Sequence, residues 1–426
     1  MRILAVTNLP WRTDISVGNT LSNLFDGLEG ELSIAQVFFR AGTPLNAFVG
    51  DCFAIPEKQL AKSILTRKPV GRRLVSGQNP QLTSPNDGLS DAYNKARQLR
   101  WDSLLLLQDS IGRFGQWRSS NLYRFVEEVE PEILFGALGR VPVVNELLVD
   151  LAEKYSLPLF VYAWDDHYSI DPSRKSPFYR IRVALERASI TKCASRANKL
   201  YVITPELGEF YRKTFSKECS VLRKGYRFDR CPRYEKTTGE IRMLYAGNIG
   251  AERWRVLAAL TESLNSSVEA TFRLDIYTHS PISEEMSRAL NVGNSTLHDG
   301  VPAEQLPALF AASDVLVHVE ATEPKERERC RYSFSTKIVD YLNAGRCILS
   351  LGGPTTATEY LKSNDAGIVV NDLSALPEVL CQIATRRGLL EEYSAKAWEC
   401  GRRNHNISSI QQMLLSDFED ARRMHR

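Results

Sequence analysis

A lysine stands where the physics of a helix asks for an acid. In "RYSFSTKIVDYLNAG" (331–345), Ser333, Ser335 and Thr336 read as a helix start and Ile338, Val339, Tyr341 and Leu342 as its buried face, which puts Lys337 in the first turn. That end of a helix carries partial positive charge and free N–H groups that favour anions. Arg253 holds a similar place, closing the loop "GNIGAER" (247–253), where Gly247 and Gly250 flank Asn248. The glycines let the backbone come close to a ligand. One such arginine reads equally well as a surface side chain reaching solvent. Two cations at two helix starts are explained together by a doubly charged anion lying between them, and a diphosphate is such an anion. Asp340, three residues past Lys337, shares its face of the helix. It reads either as an ion-pair partner worth about 0.2–0.5 kcal/mol or as an acceptor for the hydroxyl pair of a ribose.

A second group closes an apolar run. "FVYAWDDHYS" (160–169) ends a strand in Asp165, Asp166 and His167. Such groups suit the orientation of an acceptor hydroxyl or the movement of its proton. As a metal site they lack a second ligand cluster, and the competing reading is that the aspartates cap the next turn. "NLPWRTDISVGNTLSNL" (8–24) offers Gly18 and Asn19 ahead of a helix, and "GGPTTATEY" (352–360) offers paired glycines and threonines after a strand.

These residues need elements to hold them. "MRILAVTNLPW" at the start and "IRMLYAGNIGAERW" at 241–254 echo one another, each a short apolar strand, a loop and a helix approach. "LSIAQVFF", "EILFGA", "LPLFVYAW" and "KLYVIT" follow the first. "FRLDIYT", "STLHDG", "DVLVHVE", "CILSLGG" and "GIVV" follow the second, with helical stretches between. Strands that are apolar almost throughout, alternating with helices, predict parallel sheets covered on both faces. The expected class is α/β with two Rossmann-like domains. The first covers 1–228, with a loop-rich basic insertion at 56–100 in which "RRLVSGQ" is weakly helical. The second covers 229–405. A closing helix, 406–426, is expected to pack back on the first. Ligands of such sheets lie beyond the carboxyl ends of the strands.

Composition narrows the class. The chain has 426 residues, 43% hydrophobic and 25% charged, with a net charge of +3. That is an ordinary globular mix, and the charge is too small to argue for nucleic acid. Eight cysteines lie scattered with no C-x-x-C pair, which favours free thiols in a reducing compartment. No signal peptide and no membrane-length apolar run are seen, so a cytoplasmic protein is expected.

"YSFSTKIVDYLNAGRCILSLGG" resembles the C-terminal signature of GT-B glycosyltransferases of the family-4-like group. "RMLYAGNIGAER" is similar to their phosphate loop, "LHDGVPAEQLPALFAASDVLV" to the stretch after their base-contacting loop, and "ANKLYVITPELGEFY" to a late strand and helix of their first domain. The resemblance implies two facing Rossmann-like domains with a cleft between them. It implies transfer of a sugar from a nucleoside-diphosphate sugar to an acceptor hydroxyl, with retention and without a metal or other cofactor. Gly247, Asn248, Gly250, Arg253, Gly300, Val301, Ser335, Thr336, Lys337 and Asp340 would bind the donor. Asp165, Asp166 and His167 would be catalytic, with Gly18 and Asn19 on the acceptor side. One departure stands out. The family's E-x7-E puts a glutamate eight residues before Asp340, and this chain has Tyr332 there. Glu326 and Glu328 could replace it only if their loop folds back. Three alternatives remain: a GT-B-type sugar epimerase, an inverting transferase with a base in line behind the anomeric carbon, or a nucleotide-sugar-binding partner without activity. The expected partners are the nucleotide sugar and a saccharide or lipid-linked acceptor, with no nucleic acid. Lys58, Lys62, Arg67, Lys68, Arg72, Arg73, Lys95, Arg97 and Arg100, interleaved with apolar residues, suggest peripheral binding to an anionic inner membrane face.

Overall fold

The computed structural model describes residues 1–13, 16–40, 42–46, 48–74, 101–234, 239–266, 272–386 and 388–425. The chain divides into two compact units, Met1–Leu222 with Gln411–Arg426, and Arg223–Ile410. The sequence had placed these boundaries at 228 and 406.

The first unit is built on an eight-stranded sheet of order β4-β3-β2-β1-β5-β6-β7-β8. Its strands are β1 (Arg2–Thr7), β2 (Ser33–Phe38), β3 (Val49–Ala54), β4 (Arg72–Leu74), β5 (Ile133–Ala137), β6 (Leu159–Ala163), β7 (Lys199–Val202) and β8 (Cys219–Val221). All pairings are parallel except β3 with β4. That exception corrects the helical reading of "RRLVSGQ". Arg72–Leu74 pairs with the exposed edge of β3, and Arg73 reaches Asp51 at 2.7 Å and Glu128 at 2.6 Å. Residues 75–100, the rest of that stretch and of the basic insertion, lie outside the described residues. Of the loops or short helices expected for the insertion, Glu57–Thr66 is a helix, and it buries Leu60 and Ser63. The closing helix, Ile407–Met424, sets Phe418 in the core of the first unit, with its ring 4.8 Å from Phe160 and 6.3 Å from Phe135. Lys199 and Tyr201 bond Asp417 one residue earlier.

The second unit holds a six-stranded, wholly parallel sheet of order β11-β10-β9-β12-β13-β14. Its strands are β9 (Ile241–Ala246), β10 (Phe272–Thr278), β11 (Ser295–Asp299), β12 (Val315–Val319), β13 (Cys347–Leu351) and β14 (Ile368–Val370). β12 and β13 are buried at every position because helices cover both faces. Strand order reverses between β1 and β5 in one sheet and between β9 and β12 in the other. Such switch points are where the loops part and leave room for a ligand.

Candidate functional site

At the β9/β12 switch point the second unit gathers its charge. Lys337 opens the helix Lys337–Ala344, which ends at Gly345 with φ 57°, a left-handed conformation that glycine adopts at little cost. Thr336, the residue before it, makes no side-chain cap. No Thr336 side chain therefore stands between the positive end of the helix and an anion. The Lys337 ammonium lies 4.5 Å from the ring centroid of Tyr245 and 3.4 Å from its hydroxyl. Tyr245, next to last in β9, donates its own hydroxyl to the carbonyl of Asn248 at 2.6 Å. The Asn248 side chain accepts from the Gly250 N–H at 2.6 Å. The phosphate-loop candidates thus brace one another.

Gly247 has φ 153°, and a Cβ there would sit 2.1 Å from Lys337 Nζ. Gly247→Ala should displace the ammonium, and the positive φ at that position should add backbone strain that lowers the melting temperature modestly. Its expected effect is about a tenfold loss of nucleoside-diphosphate affinity, the scale of one weakened charge-assisted contact. Calorimetric titration beside a thermal melt checks both halves of that expectation.

Arg253 opens the helix Arg253–Asn265, and Nη2 lies 3.5 Å from Glu320 Oε2. Glu320, just past β12, is 5% exposed. Its other oxygen is 3.2 Å from His318 Nε2, and His318 Nδ1 is 2.9 Å from Ser350 Oγ on β13. A relay of side chains thus fixes the arginine from the core outward. Burial opposes the charge on Glu320, but the adjacent His318 and the Arg253 guanidinium outweigh it and hold the carboxyl below its ordinary range. Burial, together with nearby Arg253, lowers the Lys337 ammonium to about 8, with Glu320 and Asp340 opposing. Both cations are partly buried, with 25% of the Arg253 side chain exposed. They form one positive centre at the mouth of the switch point.

Asp340 departs from the ion-pair reading of the sequence in its partner. Its Oδ1 accepts from Lys224 Nζ at 2.6 Å and from the Tyr226 hydroxyl, so its partner cation is Lys224 and not Lys337. Ser335 and Thr336 donate no cap, but their carbonyls accept from Ile338 and Val339 at 3.0 and 3.1 Å and start the helix. Gly300 and Val301 follow β11, at the far edge of the sheet from β12, where Gly300 packs under the His279 ring. The loop before Lys337 contains a short helix, Pro324–Arg329. In it Glu326 pairs with Arg329 at 2.7 Å and Glu328 pairs with Arg331. Both glutamates are engaged locally. Thr355 caps its own helix through a capping box with Thr358.

In the first unit, Asp165 and Asp166 organise the loop after β6. Asp165 accepts from the Asp166 N–H at 2.8 Å, and Asp166 accepts from Tyr168 and Ser169 at 2.9 and 3.0 Å. This is the capping role the sequence had offered as the competing reading. His167 differs. Its backbone N–H donates to the Tyr211 hydroxyl at 3.3 Å, whereas its Nε2 is buried with no hydrogen-bond partner among the described residues. Burial lowers its imidazole to about 4 against the pull of Asp165 and Asp166, so the ring is neutral at pH 7. Arg140 holds the loop from outside, donating to the carbonyls of His167 at 2.9 Å and Ser169 at 2.6 Å. Gly18 and Asn19 lie within the helix Ser16–Phe25, not ahead of it. A Cβ on Gly18 would meet the Arg12 carbonyl at 2.2 Å, and Asn19 donates to the Thr13 carbonyl at 3.1 Å. The preceding loop folds onto the helix there, which gives both residues a packing role.

Sequence reasoning passed over Glu320, His318, Tyr245 and Arg140. The signal for the first two was present: a histidine inside the apolar run "VLVHVE" must find a partner, and the acid at the strand's end is the nearest one. Among the described residues no group of three or more His, Cys, Asp or Glu is placed to hold a metal ion, and no helix is long and apolar enough to cross a membrane.

No protein-family model matches this chain, and no curated protein sequence does. Solved structures do. The Anabaena protein HepE, crystallised with UDP and glucose, is 11% identical and aligns over 99% of this chain and 100% of its own, with a TM-score of 0.60. A glycosyltransferase from Rickettsia africae is 12% identical over 99% and 98%, at 0.57. The α,α-trehalose 6-phosphate synthase of Burkholderia multivorans is 10% identical over the whole of both chains, at 0.59. At such identities the likeness is one of fold, and it extends along the whole chain.

Proposed function

We propose that this chain, which has the GT-B fold, is a glycosyltransferase. It moves a sugar from a nucleoside-diphosphate sugar to an acceptor hydroxyl with retention at the anomeric carbon. The observation that carries this reading is the pairing of Lys337 and Arg253 at the β9/β12 switch point, beside an uncapped helix start and a glycine loop. HepE was crystallised with UDP-glucose, which supports a nucleotide-sugar donor for the same fold.

As the bond to the anomeric carbon breaks, negative charge grows on the departing diphosphate. Lys337, Arg253 and the partial positive charge of the helix start stabilise that charge, and they are fixed before the reaction begins. Glu320 holds Arg253 in place. His167, neutral and with Nε2 unbonded, takes the acceptor-side role of receiving or orienting the hydroxyl proton. Asp165 and Asp166 shape its loop. The family resemblance further supports a hexosyl or related donor, no metal requirement, and work in polysaccharide, glycolipid or glycoconjugate assembly at the cytoplasmic face of a membrane.

His167→Gln should lower turnover by about 100-fold, at the low end of general acid–base effects. Nucleoside-diphosphate affinity should stay unchanged, since His167 belongs to the other unit. The wild-type rate should show no inflection from this ring between pH 6 and 7, because it titrates near 4. A stopped assay over that pH range reads both. The reading as a whole is tested by a panel of nucleotide sugars scored for release of free nucleoside diphosphate, with and without sugar-lipid acceptors. Release that depends on acceptor supports transfer, and a panel that releases nothing under either condition contradicts it.

A further inference from the structure

The first unit contains a cavity of about 180 Å³ that the donor chemistry leaves unused. It opens at the carboxyl ends of β1, β2 and β5, marked by Asn8, Arg40 and Arg140, which is that sheet's own switch point. Its walls are the helices Glu57–Thr66 and Asp102–Phe114. The lining is graded. Phe39 and Leu60 are 1% and 2% exposed, whereas Leu104 and Leu107 are 42% and 58% exposed. Large apolar side chains left in water at a cavity mouth mark a site for an apolar ligand.

Two features give that ligand a direction. At the strand ends the wall is polar. Gln108, on the helix Asp102–Phe114, presents a buried Oε1 with no partner among the described residues, and Arg140, after β5, bonds the loop that carries His167. Outside the mouth, the helix Glu57–Thr66, the turn after it and the start of β4 expose Lys62, Arg67, Lys68 and Arg72, with Leu65 standing 89% exposed among them. A basic rim beside protruding apolar side chains complements an anionic amphiphile, and lysines or arginines near an anionic leaflet each contribute about 1 kcal/mol of attraction. Trp101, at 54% exposed, and Phe178 and Ile181, at 48% and 51%, extend the apolar surface. Arg182 on the helix that carries the last two pairs with Asp109 at 2.8 Å.

We propose that this cavity holds the hydrocarbon chain of an amphiphilic acceptor, with the acceptor's sugar head toward Arg140 and the His167 loop and its far end in the membrane. The inference rests on the transferase reading and adds the acceptor's chemical class and its seat.

The test uses the full chain and needs no knowledge of the natural acceptor. Hexyl, octyl and decyl glucosides, each below its micelle concentration, compete with the fluorescent fatty acid cis-parinaric acid. Free glucose serves as the control. The expected result is saturable competition that strengthens about two- to fourfold per added methylene until the cavity fills, with none from glucose. Ala61→Phe narrows the cavity and Leu107→Gln changes its exposed mouth. Each should weaken the decyl glucoside about tenfold or more, with thermal unfolding and nucleoside-diphosphate affinity unchanged. Equal affinity for all three glucosides overturns the proposal, as does wild-type binding in both variants. So does a dimer, seen by sedimentation, that depends on Leu107 and excludes the probe, since it assigns this face to a second copy of the chain. A wild-type protein that binds nucleoside diphosphate but shows no chain-length series loses only the cavity. One with the series and no nucleotide binding loses the transferase reading instead.

Discussion

Lys337→Met should cost the protein about 10- to 100-fold in nucleoside-diphosphate affinity and about 100- to 1,000-fold in turnover. The first figure is the worth of a charge-assisted bond to phosphate, about 1.5–3 kcal/mol. The second is the usual cost of losing one fixed group from the place where charge develops. Methionine keeps most of the side chain's bulk against Tyr245, so the loss reports charge and not packing. The pH dependence provides an internal control. Burial and Arg253 hold the ammonium near 8, and the cation is the form that binds an anion. Wild-type affinity should therefore be level below pH 8 and fall above it, and binding near pH 8 should take up a proton. The methionine variant should show neither effect. A methionine variant that binds the diphosphate as tightly as wild type would remove the lysine from the phosphate site.

The second large effect concerns stability. Glu320→Ala removes the buried carboxylate between Arg253 and His318 and leaves a cation without its counter-charge in the core of the switch point. Breaking a buried pair in this way costs about 3–5 kcal/mol. Urea unfolding should show the full loss, and Glu320→Gln, which keeps the hydrogen-bonding shape, should lose less. The carboxyl sits below its reference of 4.5 in the folded protein. Its contribution is therefore present in full above that reference and disappears as pH falls through the folded value. Alanine and wild type should converge in stability in acid. If they are equally stable at pH 7, the relay from Ser350 to Arg253 is not holding the arginine.

Much of this was legible in the sequence because it rests on period and place. Runs such as "DVLVHVE" and "CILSLGG" are too apolar for anything but buried parallel strands, and β12 and β13 are such strands. The echo between the chain start and 241–254 marks the first strand of each sheet, next to each switch point. A cation at a helix start is an electrostatic anomaly that needs no structure to notice, and Lys337 and Arg253 do share one centre.

Other features depend on distance along the chain. Nothing local to Asp340 announces that Lys224 will reach it, because 116 residues separate them. Gly18 looks like loop chemistry until the Arg12 carbonyl is seen against it. "RRLVSGQ" gives no sign that β3 has an open edge to pair with its first three residues, and that tertiary pairing overrides local preference. The cavity needed two helices far apart in sequence, one of which begins after the undescribed stretch.

The most direct test of the central claim is calorimetric titration of the wild-type chain with UDP, GDP and ADP beside their monophosphates at pH 7. The account predicts that at least one diphosphate binds, that its monophosphate binds at least tenfold more weakly, and that Lys337→Met abolishes the difference. Diphosphate and monophosphate of every base binding alike, or not at all, would contradict it.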